Sequence, residues 1–158
     1  REVLRPGGLL VAYAPTMWLP DALDALRNSG LDYHWQFVVT FPQHPYQVRA
    51  KGLASAYRPV LVFRQPGGET NPPWSLDVFT GGGRSKESDH PWEQAADEVH
   101  TLVQTLTQPG DLIVDPFLGS GTTAVAVQRV GGRRFVGCDI EEDWVDLAKS
   151  RIAAGRSG

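Results

Sequence analysis

The residues of this chain whose types and spacing could do chemistry lie at the ends of two short apolar runs. Asp115 ends the first run, and the turn Gly119-Ser120-Gly121 follows it. Because its two glycines have no Cβ, they can adopt positive φ and let a ligand approach the backbone, where the first amides of the next helix point. Asp139 ends the second run, 20 residues after Gly119, and its carboxylate can accept hydrogen bonds from both hydroxyls of a ribose. The pattern predicts a site for a nucleoside cofactor.

A strand, a helix and a second strand must position these groups. Leu112–Val114 predicts a strand, and Thr122–Val130 has helical periodicity. After the break at Gly131-Gly132, Arg134–Cys138 predicts the second strand. The three elements form a βαβ unit, whose strands we expect to be parallel. A tight connection without a ligand is the alternative, but the flanking elements and the spaced acid argue against it.

The glycine spacing by itself fits two classes of cofactor. Gly119-x-Gly121-x-x-Ala124 also matches a dinucleotide site. However, Asp115 and Phe117 precede the glycines, whereas a dinucleotide turn usually has its first glycine directly after the strand. A carboxylate at this point disfavours a pyrophosphate and favours a ligand with an ammonium group.

The segment Asp115–Thr123, DPFLGSGTT, resembles the S-adenosylmethionine motif of the amino-group DNA methyltransferases, which modify adenine N6 or cytosine N4. That family has a His-Pro-x-x-Lys-Pro segment upstream, and His90–Ala95 (HPWEQA) lies there, with glutamine and alanine in place of the lysine and the second proline. A loop-to-helix cap is the alternative role of the histidine. The resemblance implies S-adenosylmethionine as cofactor and double-stranded DNA as partner. It places at the cofactor His90, Gln94, Asp115, Phe117, Gly119, Ser120, Gly121, Thr122 and Asp139.

The resemblance also implies the fold, which is α/β with a doubly wound, Rossmann-like methyltransferase sheet that is incomplete in this chain. The predicted element order is strand, helix, two strands, helix, strand, helix, strand, helix. It matches the second half of the family's sheet followed by its first cofactor unit, the permuted order in which the catalytic motif comes first. We therefore expect residues 1–158 to be a single domain, the C-terminal portion of a methyltransferase, with the strand of the catalytic motif upstream of residue 1.

The remaining elements are predicted from periodicity and breakers. The expected strands are Leu9–Tyr13, Trp35–Phe41 and Tyr57–Arg64. The expected helices are Asp21–Asn28, Gln94–Leu106 and Glu141–Ala153. Pro59 predicts the start or the edge of a strand. Gln43–Ala56 predicts a long polar loop and Gln65–Asp89 an irregular excursion.

One segment has the form of the family's catalytic tetrapeptide, [D/N/S]-P-P-[Y/F/W]. In the family its first side chain and proline carbonyl hydrogen-bond the target amine, and its aromatic stacks on the flipped base. Asn71-Pro72-Pro73-Trp74 fits this form, so Asn71 and Trp74 are candidates for catalysis. Because the residues before Asn71 cannot form the strand that the family has there, a proline-rich loop is the alternative, and no catalytic residue is assigned with certainty.

Charge and composition bear on the partners. The net charge of −3 does not favour DNA binding, but the segment between Tyr33 and Gly68 has no Asp or Glu. Arg49, Lys51 and Arg58 lie among its aromatics and are candidates for contact with DNA. Core aromatics with solvated arginines are the alternative. A single cysteine and no apolar run of ~18 residues lead us to expect no cysteine metal site, no membrane span and a cytoplasmic location.

The function predicted from these features is methyl transfer to an exocyclic amine of adenine or cytosine in DNA. An oxidoreductase fragment that binds NAD(P) and a cofactor-binding module without activity are the alternatives. The target base, the recognition sequence and the oligomeric state stay open, as does a homodimer or a restriction partner.

Overall fold

The computed structural model of the protein describes residues 3–41, 46–48, 51–69, 75–81 and 96–155. They belong to two compact units, Arg1–Thr80 and Gly81–Gly158. The described residues form sheets of four, two and two strands and no seven-stranded sheet, which confirms the predicted α/β class with a partial sheet. The prediction of a single domain stays a prediction.

The first unit is built on a four-stranded sheet. Its strands lie in the order β1 (Leu9–Tyr13), β5 (Tyr57–Arg64), β2 (Asp32–Thr40) and β6 (Val78–Thr80). β5 is antiparallel to both of its neighbours, and β2 is parallel to β6. Four consecutive apolar residues of β5, from Val60 to Phe63, are fully buried. A central strand buried on both faces has such a continuous apolar run rather than an alternating one.

One helix, α1 (Leu19–Asn28), packs on this sheet. It begins after a short 3-10 turn and has Pro20 in its first turn, where the missing N–H removes no intrahelical hydrogen bond. Ala22, Leu23 and Leu26 contact the cluster that contains Leu61 and Phe63 of β5. The predicted helix and its apolar face are confirmed.

Two predictions of irregular structure are wrong in part. Gln43–Ala56 contains an antiparallel pair, β3 (Tyr46–Val48) and β4 (Leu53–Ser55), and Gln65–Asp89 contains β6. Each of these strands has three residues, too few for a pattern of alternation to appear. Their pairing with a neighbour, which periodicity does not reveal, defines them.

Pro59 lies near the start of β5, as predicted, but β5 is a central strand and not an edge. The carbonyl of Pro59 accepts the N–H of Ala14, just beyond the end of β1. Because the N and C=O of a strand residue point to the same side, the missing N–H of Pro59 also falls beyond the β1 ladder. The proline therefore leaves out at most one hydrogen bond, the return bond to Ala14 just past the end of β1.

The second unit contains the predicted βαβ motif. β7 (Leu112–Asp115) and β8 (Arg134–Gly137) are parallel, with Asp115 opposite Gly137, and α3 (Thr122–Val130) connects them. α2 (Ala96–Leu106) and α4 (Glu142–Ala154) complete the described part of this unit. Two apolar clusters join the strands to the helices. One contains Val99, Val103, Ala126 and Val127 with Ile113 and Phe135, and the other contains Leu118, Ala124 and Ala148 with Val145 and Ile152.

Candidate functional site

The glycine turn begins directly after β7. The Oδ1 atom of Asp115 accepts the N–H of Phe117 at 3.0 Å, which bends the chain away from the strand. The two strands remain joined beyond their ends, since Leu118 N–H donates to the Cys138 carbonyl at 2.9 Å. Leu118 is buried in the cluster with Ala124 and Ala148. The turn is thus fixed to β8 at its base and to the helices through Leu118.

Asp139 lies beside this turn, as its spacing predicts. Its Oδ2 atom accepts the N–H of Gly119 at 2.8 Å, and its Oδ1 atom accepts the N–H of Glu141 at 3.2 Å. The parallel pairing of β7 and β8 brings the two strand ends together and so makes this contact possible. The carboxylate therefore has a structural role, because it holds a turn amide, in addition to the ribose contact that the resemblance implies.

Gly121 must be a glycine for two reasons. Its backbone has φ 82° and ψ 23°, a left-handed conformation that costs an L-residue free energy. A Cβ atom at this position would lie 2.6 Å from the Cβ and 2.9 Å from the Cα of Ala148 on α4. Gly121 is also the N-cap residue of α3 and makes no side-chain cap hydrogen bond. The first amides of α3 are therefore of the kind that binds an anionic or hydrogen-bond-accepting ligand.

Ser120 and Thr122 have side chains that face the protein. Both residues are buried, and their hydroxyl oxygens lie 3.5 Å apart. Arg151 of α4 donates from Nη1 to the Ser120 carbonyl and to the Ser120 hydroxyl, at 2.9 Å each. A ligand in the turn would therefore meet the backbone of these residues rather than their hydroxyl groups.

Two apolar side chains near the strand ends are exposed. Phe117 is 86% exposed, and Ile140, which follows Asp139, is 97% exposed. Phe117 is among the predicted cofactor residues, whereas Ile140 is not. Its signal in the sequence is an isolated apolar residue before the acids of Glu141–Asp143. Together the two residues offer apolar surface to a ligand at this edge.

The predicted DNA contacts that are described belong to the first unit. Lys51 is exposed. The Arg58 guanidinium lies 5.2 Å from the ring centroid of Tyr13 and 5.0 Å from that of Phe41, so its charge is already engaged with two aromatic faces. Several predicted residues lie outside the described residues, and these are Arg49, Asn71, Trp74, His90 and Gln94.

The described part of the chain holds no group of three or more His, Cys, Asp or Glu side chains placed to bind a metal ion. Among the same residues, no helix has the length and apolar character that crossing a membrane requires.

A parallel βαβ unit with a glycine turn against an acid is typical of the Rossmann-like class of α/β proteins. The profile of the DNA methylase family N6_N4_Mtase matches residues 1–150. The chain belongs to this family of DNA methylases.

Two curated relatives are type II methyltransferases. The chain is 38% identical over 82 residues to M2.DpnII of Streptococcus pneumoniae, a match that covers 49% of this chain and 30% of that protein. It is 36% identical over 83 residues to M2.LlaDCHI of Lactococcus lactis subsp. cremoris, a match that covers 50% of this chain and 30% of that protein. The matched region therefore spans under a third of the length of each relative.

Solved structures share the fold. The M1.HpyAVI-SAM complex superposes with a TM-score of 0.74 at 19% identity, over 94% of this chain and 76% of that one. PvuII DNA methyltransferase, described as cytosine-N4-specific, gives a TM-score of 0.71 at 18% identity, over 94% and 64%. The Rossmann-like methyltransferase fold is confirmed, and neither comparison supports the oxidoreductase alternative.

Proposed function

We propose that this chain is the cofactor-binding part of an S-adenosylmethionine-dependent DNA amino-methyltransferase. Its substrate is an exocyclic amine, N6 of adenine or N4 of cytosine, in double-stranded DNA. The observation that carries the proposal is the hydrogen bond from the Gly119 amide to the Asp139 carboxylate at the paired ends of β7 and β8. Membership of the DNA methylase family supports the choice of reaction.

The residues around the turn fit the chemical groups of this cofactor. Asp139 is proposed to accept the ribose hydroxyls, and Asp115 to bind the ammonium group of the methionine portion. Phe117 and Ile140 supply exposed apolar side chains that suit the faces of an adenine ring. The first amides of α3 would bind the carboxylate. The bound cofactor supplies a methyl group that its sulfonium already activates, so the protein has chiefly to orient the amine and exclude water.

The catalytic and DNA-binding residues are proposed on sequence grounds. Asn71 and Trp74 are the candidates in this chain for holding and stacking the target base. The alternative site for this function is a tetrapeptide upstream of residue 1. Arg49 and Lys51 are proposed to contact DNA phosphates. Arg58 is proposed as a further contact, which requires its guanidinium to move away from the rings of Tyr13 and Phe41. By analogy with type II methyltransferases, we propose a cytoplasmic enzyme that acts beside a restriction partner or as a homodimer.

Isothermal titration calorimetry tests the cofactor. The 158-residue chain should bind S-adenosylhomocysteine, the unreactive product, and should not bind NAD. Binding of NAD alone would overturn the proposal in favour of an oxidoreductase fragment. Binding of S-adenosylhomocysteine without transfer of a labelled methyl group to DNA, in the longest protein that contains this chain, would indicate a binding module.

A variant pair tests the catalytic candidates. In an active protein, Asn71→Ala and Trp74→Ala should lower the rate of methyl transfer and leave the affinity for S-adenosylhomocysteine unchanged. Unchanged rates in both variants would place the catalytic tetrapeptide elsewhere.

A further inference from the structure

α4 contacts two consecutive residues of the glycine turn. Nη1 of Arg151 lies 2.9 Å from both the carbonyl oxygen and the hydroxyl oxygen of Ser120. Ala148 lies against Gly121, with no room for a Cβ between them. Residues three apart on a helix share one face, so Ala148 and Arg151 form a single contact surface for the turn.

The Arg151 contact is made where solvent cannot replace it easily. Ser120 is 4% exposed, and both hydrogen bonds from Arg151 are partly buried. A buried carbonyl or hydroxyl that loses its donor incurs a desolvation penalty, and a charged donor makes the hydrogen bond stronger than a neutral one. Without Arg151, the carbonyl and hydroxyl oxygens of Ser120 would have to move to reach water as a replacement donor. This movement would displace the amides on either side of Ser120.

We propose that Arg151 is a positioning residue of the cofactor site. It acts through Ser120 and holds the glycine turn in the geometry that binds the ligand. The inference rests on the proposed function, because the ligand is S-adenosylmethionine or its product. Asp139 holds Gly119 from the end of β8, and Arg151 holds the next residue from α4. A binding site that is fixed before the ligand arrives gains affinity because less ordering is needed on binding.

The test compares variants that separate the hydrogen bonds from the packing. Arg151→Met keeps an apolar stem of similar length and removes the donors, and we expect it to weaken the binding of S-adenosylhomocysteine roughly 10–100-fold, the range that the net strength of one charge-assisted hydrogen bond supports. Arg151→Lys restores a charged donor and should recover most of this loss. Calorimetry on the full chain at about 10 °C, near the temperature of maximum stability of most proteins, gives the affinities, and circular dichroism at that temperature checks that each variant is folded.

Two controls separate positioning from stability. Arg129→Met removes an exposed arginine of α3 that pairs with Asp97 and should bind like wild type. Val103→Ala lowers stability through the cluster between α2 and α3 without contact to the turn, and it should also bind like wild type once folded. If Val103→Ala weakens binding as much as Arg151→Met does, the Arg151 effect is one of stability, and the proposal is wrong.

The remaining outcomes are distinguishable. Wild-type affinity in Arg151→Met overturns the positioning role and leaves the proposed function intact, whereas a wild-type chain that does not bind S-adenosylhomocysteine overturns both. If Arg151→Met does not fold, Ser120→Ala replaces it, because that variant removes only the hydroxyl acceptor. It should weaken binding by roughly 3–10-fold, and unchanged affinity there would refute positioning of the turn through the Ser120 hydroxyl.

Discussion

Replacing Gly121 by alanine is the sharpest test of how the glycine turn is built. The substitution adds one methyl group where φ is 82° and where Ala148 leaves no space. An added Cβ would lie 2.6 Å from the Ala148 Cβ, a separation that real Cβ atoms do not reach without movement of the backbone. The turn or α4 must therefore shift.

The expected cost has two parts. A left-handed backbone conformation costs an L-residue about 1–2 kcal/mol, and overpacking by one methyl group costs about 1–3 kcal/mol. Gly121→Ala should then lower the free energy of unfolding by about 2–5 kcal/mol. Gly110 is the matched control, since its φ is 90° and an added Cβ would meet nothing within 4 Å. Gly110→Ala should cost only the backbone part, about 1–2 kcal/mol.

Urea denaturation followed by circular dichroism measures both costs, and calorimetry with S-adenosylhomocysteine measures the effect on the site. Adding Ala148→Gly to Gly121→Ala removes the 2.6 Å contact but leaves the Cα of residue 148 at 2.9 Å, so the double variant should recover part of the packing cost. A double-mutant cycle isolates this coupling. The reasoning is refuted if Gly121→Ala costs no more than Gly110→Ala, or if the two substitutions are additive.

Three further predictions test other contacts. Asp139→Asn keeps an oxygen acceptor for the Gly119 amide, so it should weaken the binding of S-adenosylhomocysteine while lowering the melting temperature less than Asp139→Ala does. Asp139→Ala removes the acceptor and should lower both the affinity and the melting temperature. Equal effects of the two variants would argue against a role for the charge. Burial and the charge of Arg64 lower the pKa of His34 from 6.5, so the unfolded chain binds the proton more readily, and stability should fall as the pH drops below that value. His34→Gln should show a smaller loss in urea titrations over the same range, and an identical pH profile would contradict the assignment. Asp97→Asn breaks an exposed 3.5 Å ion pair with Arg129 and should change the free energy of unfolding by less than about 1 kcal/mol; a larger change would mean that the pair is not merely a surface contact.

The fold was predictable where glycines mark the ends of elements. α3 occupies the predicted range Thr122–Val130, because Gly121 and Gly131 lie on either side of it. The sequence does not predict β3, β4 and β6, since each is a three-residue strand that is defined only by its pairing with a neighbouring strand. β6, for example, is defined by the pairing of Val78 with Val38, 40 residues earlier.

The sequence predicts the groups that we propose to bind the ligand, but it does not predict the residues that support them. Asp139 and the glycine turn meet because parallel strands end at the same edge, a rule that the sequence pattern is sufficient to apply. Arg151 has no such signal. It lies 31 residues from Ser120, and only the crossing of α4 over the turn makes it a neighbour. Periodicity places Ala148 on the apolar face of α4 but does not reveal that Gly121 is its partner.

Two polar contacts support the glycine turn that we propose as the binding site. Phe117 and Ile140 are almost fully exposed, whereas Leu118 and Ser120 between them are buried. In addition to this burial, Asp139 binds the amides of Gly119 and Glu141, and Arg151 binds Ser120 from α4. Since these contacts are made within the chain, they order the turn as part of folding, and less ordering is needed when a ligand binds. Substitutions at the supports should therefore weaken ligand binding even where the side chain that is changed never touches the ligand.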